Sequence, residues 1–180
     1  MENYKEYVHN PPHLFKNNSK YFITGSIYQK KNMLKSSDAK ARLLKSLEIG
    51  FTSKGWNLEE WVILNNHYHI LVESSKKVAD LPNIMRDIHK FTAMWMKKNL
   101  NIAKDNKKIW WNYWDKCITF EKSYFSRINY IWYNPVKHNL IDRAELWEFG
   151  SFYNKCKQGA YVNELKTKYP CEKVNEKDDF

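Results

Sequence analysis

Two stretches of this chain have residue types and spacing that could do chemistry: His67-Tyr68-His69, and far downstream Tyr130-Ile131-Trp132-Tyr133-Asn134-Pro135. On a strand, residues two apart point to the same face. Ile70, Leu71 and Val72 follow directly and favour a strand. Both imidazoles would then sit side by side, able to bind one divalent cation. Tyr130 and Asn134 are four apart, so on a helix they share a face and a phenol hydroxyl and an amide could address one site. Tyr133 is rotated well away from that face. Each feature also has a plainer reading: two surface or core histidines, a core tyrosine, and a turn asparagine before Pro135.

The composition narrows the partner. The 180 residues carry a formal net charge of +10 with 8 Trp, 12 Tyr and 9 Phe. A basic surplus suggests a polyanion. Aromatics interleaved with Lys and Arg suit single strands, in which bases stack on rings and cations follow phosphates. Many of these rings must instead build the core. Candidates for phosphate contact are Lys30, Lys31, Lys35, Lys97, Lys98, Lys104, Lys107 and Lys108, with Trp110, Trp111 and Trp114 as stacking candidates. Lys122, Arg127 and Lys137 flank the tyrosine and could hold phosphate or favour the phenolate; ordinary solvated charges are the alternative. Cys117, Cys156 and Cys171 form no CxxC pair, which argues against a zinc knuckle or redox motif. No apolar run approaches the roughly 20 residues of a membrane span, and the N-terminus lacks a secretory pattern. A cytoplasmic, membrane-independent protein is expected.

The elements that must position these groups read as follows. Strands are predicted over Tyr21–Tyr28, Trp56–Leu64 and His67–Glu73, the last two joined by a tight Asn65-Asn66 hairpin in which Asn tolerates positive φ. Asp38 is expected to cap a helix that buries Ala41, Leu44, Leu47 and Phe51. A second helix runs from about Asp80 to Leu100, with Leu81, Ile84, Met85, Ile88, Phe91, Trp95 and Met96 as its buried stripe. IWWNYWDKCITF reads as a strand or extended hairpin. A last helix spans about Ser123 to Tyr133 and stops before Pro135. The order strand, helix, two strands, helix, strand, helix gives an α+β fold: a ferredoxin-like antiparallel sheet with helices on one face, plus one added C-terminal helix. Residues 1–160 are expected to form a single domain, and 161–180 a polar, acidic, disordered tail.

Taken together, NNHYHILV followed by YIWYNPVKHNLI resembles the single-tyrosine HUH transposases, and more specifically the REP-associated tyrosine transposases, whose catalytic helix typically ends in Tyr-x-x-x-Asn-Pro-Val. PPHLFKNNSKYFITGSIYQ is similar to that family's N-terminal strand, and WNYWDKCI to a stretch before its catalytic helix. The likeness covers about residues 9 to 153. It implies that His67 and His69 ligate Mg²⁺ or Mn²⁺ and that Tyr130 is the nucleophile. It implies for Asn134 a third ligand position or a role in orienting phosphate, where single-tyrosine relatives often have Gln. Tyr68 stands where an aliphatic residue is usual. The implied reaction is metal-dependent cleavage and transfer of single-stranded DNA through a 5′-phosphotyrosine. The implied partner is single-stranded DNA with hairpin or palindromic repeats. Both a monomer and a homodimer are compatible with the resemblance. Two other functions fit the residues: a non-catalytic single-strand binder, and a metal-dependent hydrolase of small phosphates.

Overall fold

The computed structural model describes residues 16–75, 78–158 and 168. Residues 161–180, for which a tail is expected, lie outside the described residues apart from Lys168, as do Cys171 and the PPHLF stretch.

Four strands, β1 (Lys20–Ser26), β2 (Asn57–Ile63), β3 (His67–Glu73) and β4 (Trp114–Ile118), form one antiparallel sheet of order β2-β3-β1-β4. This is the ferredoxin-like plan. The two inner strands, β3 and β1, are buried along nearly their whole length. Strands buried on both sides need cover on both faces. Tyr21, Ile23, Tyr68, Ile70 and Val72 point to one face and pack with α1 (Ser37–Thr52) and α2 (Leu81–Asn99). Phe22, Leu71 and Val62 point to the other and pack with α3 (Glu121–Lys137) and α4 (Ser151–Lys157). Two-residue alternation therefore sends His67 and His69 towards α3. The added helix is α3, on the face opposite α1 and α2; the short α4 beside it has no counterpart among the predicted elements.

The structure corrects several local expectations. Ser36, not Asp38, caps α1 by accepting the Ala39 N–H. That places Asp38 in the first turn, where its charge suits the helix dipole. The buried stripe shifts with it to Ala39, Lys40, Leu43, Leu47 and Phe51, leaving Ala41 exposed and Leu44 only partly buried. On α2, Phe91 is 53% exposed and Thr92 is buried in the stripe instead. The polar residue fits there because its hydroxyl donates to the Ile88 carbonyl and accepts the Trp110 indole N–H.

The Asn65-Asn66 hairpin forms, closed by Leu64 N–H to the His67 carbonyl. Neither asparagine adopts positive φ. The tip is held from outside: Asn65 accepts from Leu34 N–H and Lys40 Nζ, and the Asn66 carbonyl accepts Ile27 N–H.

Pro135 lies inside α3 and does not stop it. In the last turn its ring forfeits one backbone bond, yet its fixed φ is helical. The helix closes after it through His138 N–H to Asn134 and Leu140 N–H to Pro135, with Asn139 at φ 53 as the left-handed cap.

Candidate active site

The two imidazoles lie with ring centroids 5.1 Å apart. His69 is fully buried, stacked on Phe22 at 5.4 Å. Tyr130 also lies against it, edge-on at 5.1 Å. The strand pair and the helix thus converge on one point. The pairing Thr24↔His69 puts the Thr24 hydroxyl 2.7 Å from His69 Nδ1. The Asn66 side-chain oxygen lies 2.7 Å from His67 Nδ1. An amide oxygen only accepts, so the His67 proton sits on Nδ1 and Nε2 presents its lone pair. Burial pushes the His69 pKa down to about 3, with the nearby charges of His138 and Lys137 adding to the effect. His69 is therefore a neutral imidazole throughout the physiological range, the form a metal ligand requires.

Tyr130 is 2% exposed, and Asn134 is fully buried one turn further along α3. Lys137 reaches back over the Tyr130 ring, 4.8 Å from its centroid, with Nζ 3.5 Å from the hydroxyl. His138 lies 5.0 Å from His67, ring to ring. Tyr133 faces Phe152 instead, at 6.1 Å, as the helical rotation requires.

Would this donor set suit a divalent cation? Among the described residues, no three His, Cys, Asp or Glu side chains group to hold a metal ion. A third protein ligand would have to be an amide. Asn134, on the same α3 face as Tyr130, is the candidate: neither its oxygen nor its nitrogen has a hydrogen-bond partner. A buried polar group left so costs about 1–3 kcal/mol, which ligation would relieve. Two imidazole nitrogens and an amide oxygen fit Mn²⁺ and, with water completing the shell, Mg²⁺.

The sequence profile of the IS200-like transposase family matches residues 15–134, a span that includes both histidines, Tyr130 and Asn134. The chain belongs to this family. It is 28% identical over 107 residues to the REP-associated tyrosine transposase of Escherichia coli K12, covering 59% of this chain and 60% of that protein. The chain thus matches about three fifths of that relative's length. Its fold is also similar to that of a REP-associated tyrosine transposase solved bound to a REP hairpin, with a TM-score of 0.69 at 22% identity over 90% of this chain and 89% of that one.

Two residues of the candidate site in this IS200-like transposase family member escape motif reading. His138 follows Tyr130 and Asn134 at a further four-residue step, a signal the sequence does contain. Thr24 carries no such signal, because only strand pairing brings it to His69. The basic candidates are scattered. Lys30, Lys35, Lys97, Lys98, Lys104 and Lys107 are exposed, and Lys31 is bonded to Asn106. Lys108 lies 4.1 Å over the Trp111 ring. Trp111 is 41% exposed, whereas Trp110 is buried and Trp114 partly so. Lys122 is exposed on the first turn of α3. Arg127 is buried over the Phe22 ring and donates to Ser123.

The helix α3 is tied to the sheet by a buried carboxylate. Glu60, 3% exposed on β2, accepts the Trp132 indole N–H at 2.8 Å and the Ser151 hydroxyl at 2.6 Å, and pairs with Lys155 at 2.7 Å. Trp132 lies two residues from Tyr130, so this bond fixes the rotation of α3. Glu60→Ala is expected to lower stability by about 1–3 kcal/mol for each buried donor left unsatisfied. A urea unfolding midpoint equal to that of the native chain would show the network to be dispensable.

Acid should also unfold the protein early. His69 and His89 are both held near pKa 3 by burial, against about 6.5 in the unfolded chain. Between these values the unfolded state binds protons that the folded state refuses, so stability falls as pH drops below 6.5. The expected slope is on the order of 1 kcal/mol per pH unit for each histidine. Thermal melts between about pH 7.5 and 4, which bracket the fall below the unfolded value, would read it. A flat profile would contradict neutral burial of the two rings.

Proposed function

We propose that this chain nicks single-stranded DNA beside hairpin or palindromic repeats and rejoins it, with Tyr130 as nucleophile. The observation that carries this reading is the packing of Tyr130 against His69 with the Lys137 ammonium at its hydroxyl. A tyrosine that only filled core would not need a cation reaching its oxygen.

His67 and His69, with Asn134, would hold the divalent cation. Such a cation supplies Lewis-acid polarisation of a phosphate oxygen. The chain's own groups do the rest. Thr24 and Asn66 fix the two imidazoles through Nδ1. Phe22 and the sheet exclude water behind them. Lys137 places positive charge beside the oxygen that must become negative as its proton leaves. The Tyr130 oxygen bonds to phosphorus and the P–O3′ bond breaks. The phenol proton goes to solvent, and the departing 3′ oxygen takes one up. A phosphodiester is exchanged for a phosphotyrosine, so a second 3′-hydroxyl can reverse the step without ATP. Within one chain the tyrosine packs on the histidine, the arrangement in which each protomer would cut with its own tyrosine.

The family and the REP-associated relative support this reading. The test is nicking of labelled hairpin oligonucleotides with single-stranded flanks. EDTA should stop it and Mn²⁺ should restore it at least as well as Mg²⁺, because imidazole ligands suit the softer ion. Tight DNA binding with no nicking under either metal would leave a single-strand-binding protein.

A further inference from the structure

Trp110 and Trp111 sit side by side in sequence, yet in the fold they do different things. Trp110 is stacked flat on His89, at 4.4 Å and 5°. Both rings are locked: Trp110 Nε1 donates to Thr92, and His89 Nε2 lies 2.8 Å from the Tyr68 hydroxyl. This rigid aromatic pair walls a cavity of about 470 Å³ whose other lining includes Arg86, Lys90, Trp111 and Asn112. Arg86, Lys90 and Asn112 are exposed at its edge. Volumes of this size suit small-ligand recognition. The cavity is also placed for the DNA. Trp111 N–H bonds to the Ser26 carbonyl, and Ser26 pairs with His67 on the other side of β1. The backbones are two strand spacings, roughly 10 Å, apart, but the cavity opens on the α1/α2 face with Tyr68 and His89 whereas His67 and His69 face α3, so one bound strand must pass around the sheet to reach both.

We propose that this cavity receives one unpaired nucleobase of the same single strand that Tyr130 cuts, a proposal that rests on the DNA reading above. The base stacks on the aromatic wall, the Asn112 amide bonds to its edge, and Arg86 and Lys90 neutralise the adjoining phosphate. The pre-ordered wall lowers the entropy lost on binding. A rigid wall also explains why two aromatic groups should hold each other with polar anchors rather than by packing alone.

The test uses the full chain and a fluorescein-labelled hairpin oligonucleotide with single-stranded flanks, read by anisotropy. Trp111→Ala, which removes the exposed ring lining the cavity beside that wall, should weaken binding severalfold. Arg86→Ala/Lys90→Ala should flatten the dependence of log affinity on log salt by about 0.7 for each phosphate no longer neutralised. Asn112→Ala should reduce discrimination between oligonucleotides that differ at one flanking base. The double variant changes only exposed side chains, so it keeps the test valid if Trp111→Ala misfolds. Affinities, salt slopes and base preference all equal to those of the native chain would overturn the pocket while leaving the DNA reading intact. A native chain that binds no oligonucleotide would overturn both.

Discussion

Tyr130→Phe is expected to bind hairpin oligonucleotides as tightly as the native chain and to form no covalent adduct with them. The substitution keeps the ring that packs on His69 at 5.1 Å and on Phe22 at 6.0 Å. It removes only the oxygen that Lys137 approaches. Fold and DNA surface should therefore be retained, while nicking falls at least about 10³-fold because the attacking atom is gone. A denaturing gel reads the adduct and a melting curve reads the fold. Native-like nicking by the phenylalanine variant would move the nucleophile elsewhere.

His67→Ala is expected to cost nearly as much by a different route. His67 is 8% exposed, so its loss leaves a smaller cavity than loss of the fully buried His69 would. The expected result is at least about a 10–100-fold loss of Mn²⁺ affinity, since even residues that merely support a ligand have effects of that size. Nicking should fall in parallel. Titration calorimetry with Mn²⁺ separates the two readouts. Undiminished Mn²⁺ binding in this variant would show that the cation sits elsewhere, and His67 would then be structural. Restoration of nicking at high Mn²⁺ would show that the impaired step is metal binding rather than folding.

The chemistry of the site is more legible in the sequence than the scaffold around it. Alternation along HYHILVE places His67 and His69 on one face, and the four-residue step places Tyr130 and Asn134 on another element's single face. Neither inference needs knowledge of how the strands pair. Thr24 and Asn66, which hold the imidazoles, depend on register and on the hairpin tip, and no local pattern announces them. His138 is legible as the next step on α3 only once the helix is known to pass Pro135. The rule that helices end before proline hides this, because it weighs a forfeited backbone bond and not where in the helix the loss falls. Taking Asp38 as the cap misplaces the α1 stripe, although Ser36 serves equally well by chemistry. On α2, Phe91 and Thr92 exchange expected roles, since hydrophobicity alone cannot foresee that Trp110 needs a hydroxyl partner. Glu60 gives no signal at all: a carboxylate in a strand reads as a solvated edge until α4 and Trp132 cover it.

The most direct measurement is the fate of the label when the native chain reacts with Mn²⁺ and a hairpin oligonucleotide marked at either its 5′ or its 3′ end. Attack by Tyr130 with departure of the 3′ oxygen leaves protein joined to the DNA on the 3′ side of the nick. The 3′-marked strand should therefore travel with the protein on a denaturing gel, the 5′-marked piece should be released with a free 3′-hydroxyl, and the tryptic peptide bearing nucleotide should contain Tyr130. Label retained from the 5′ side, or nicked DNA with no protein attached, would contradict a 5′-phosphotyrosine at Tyr130.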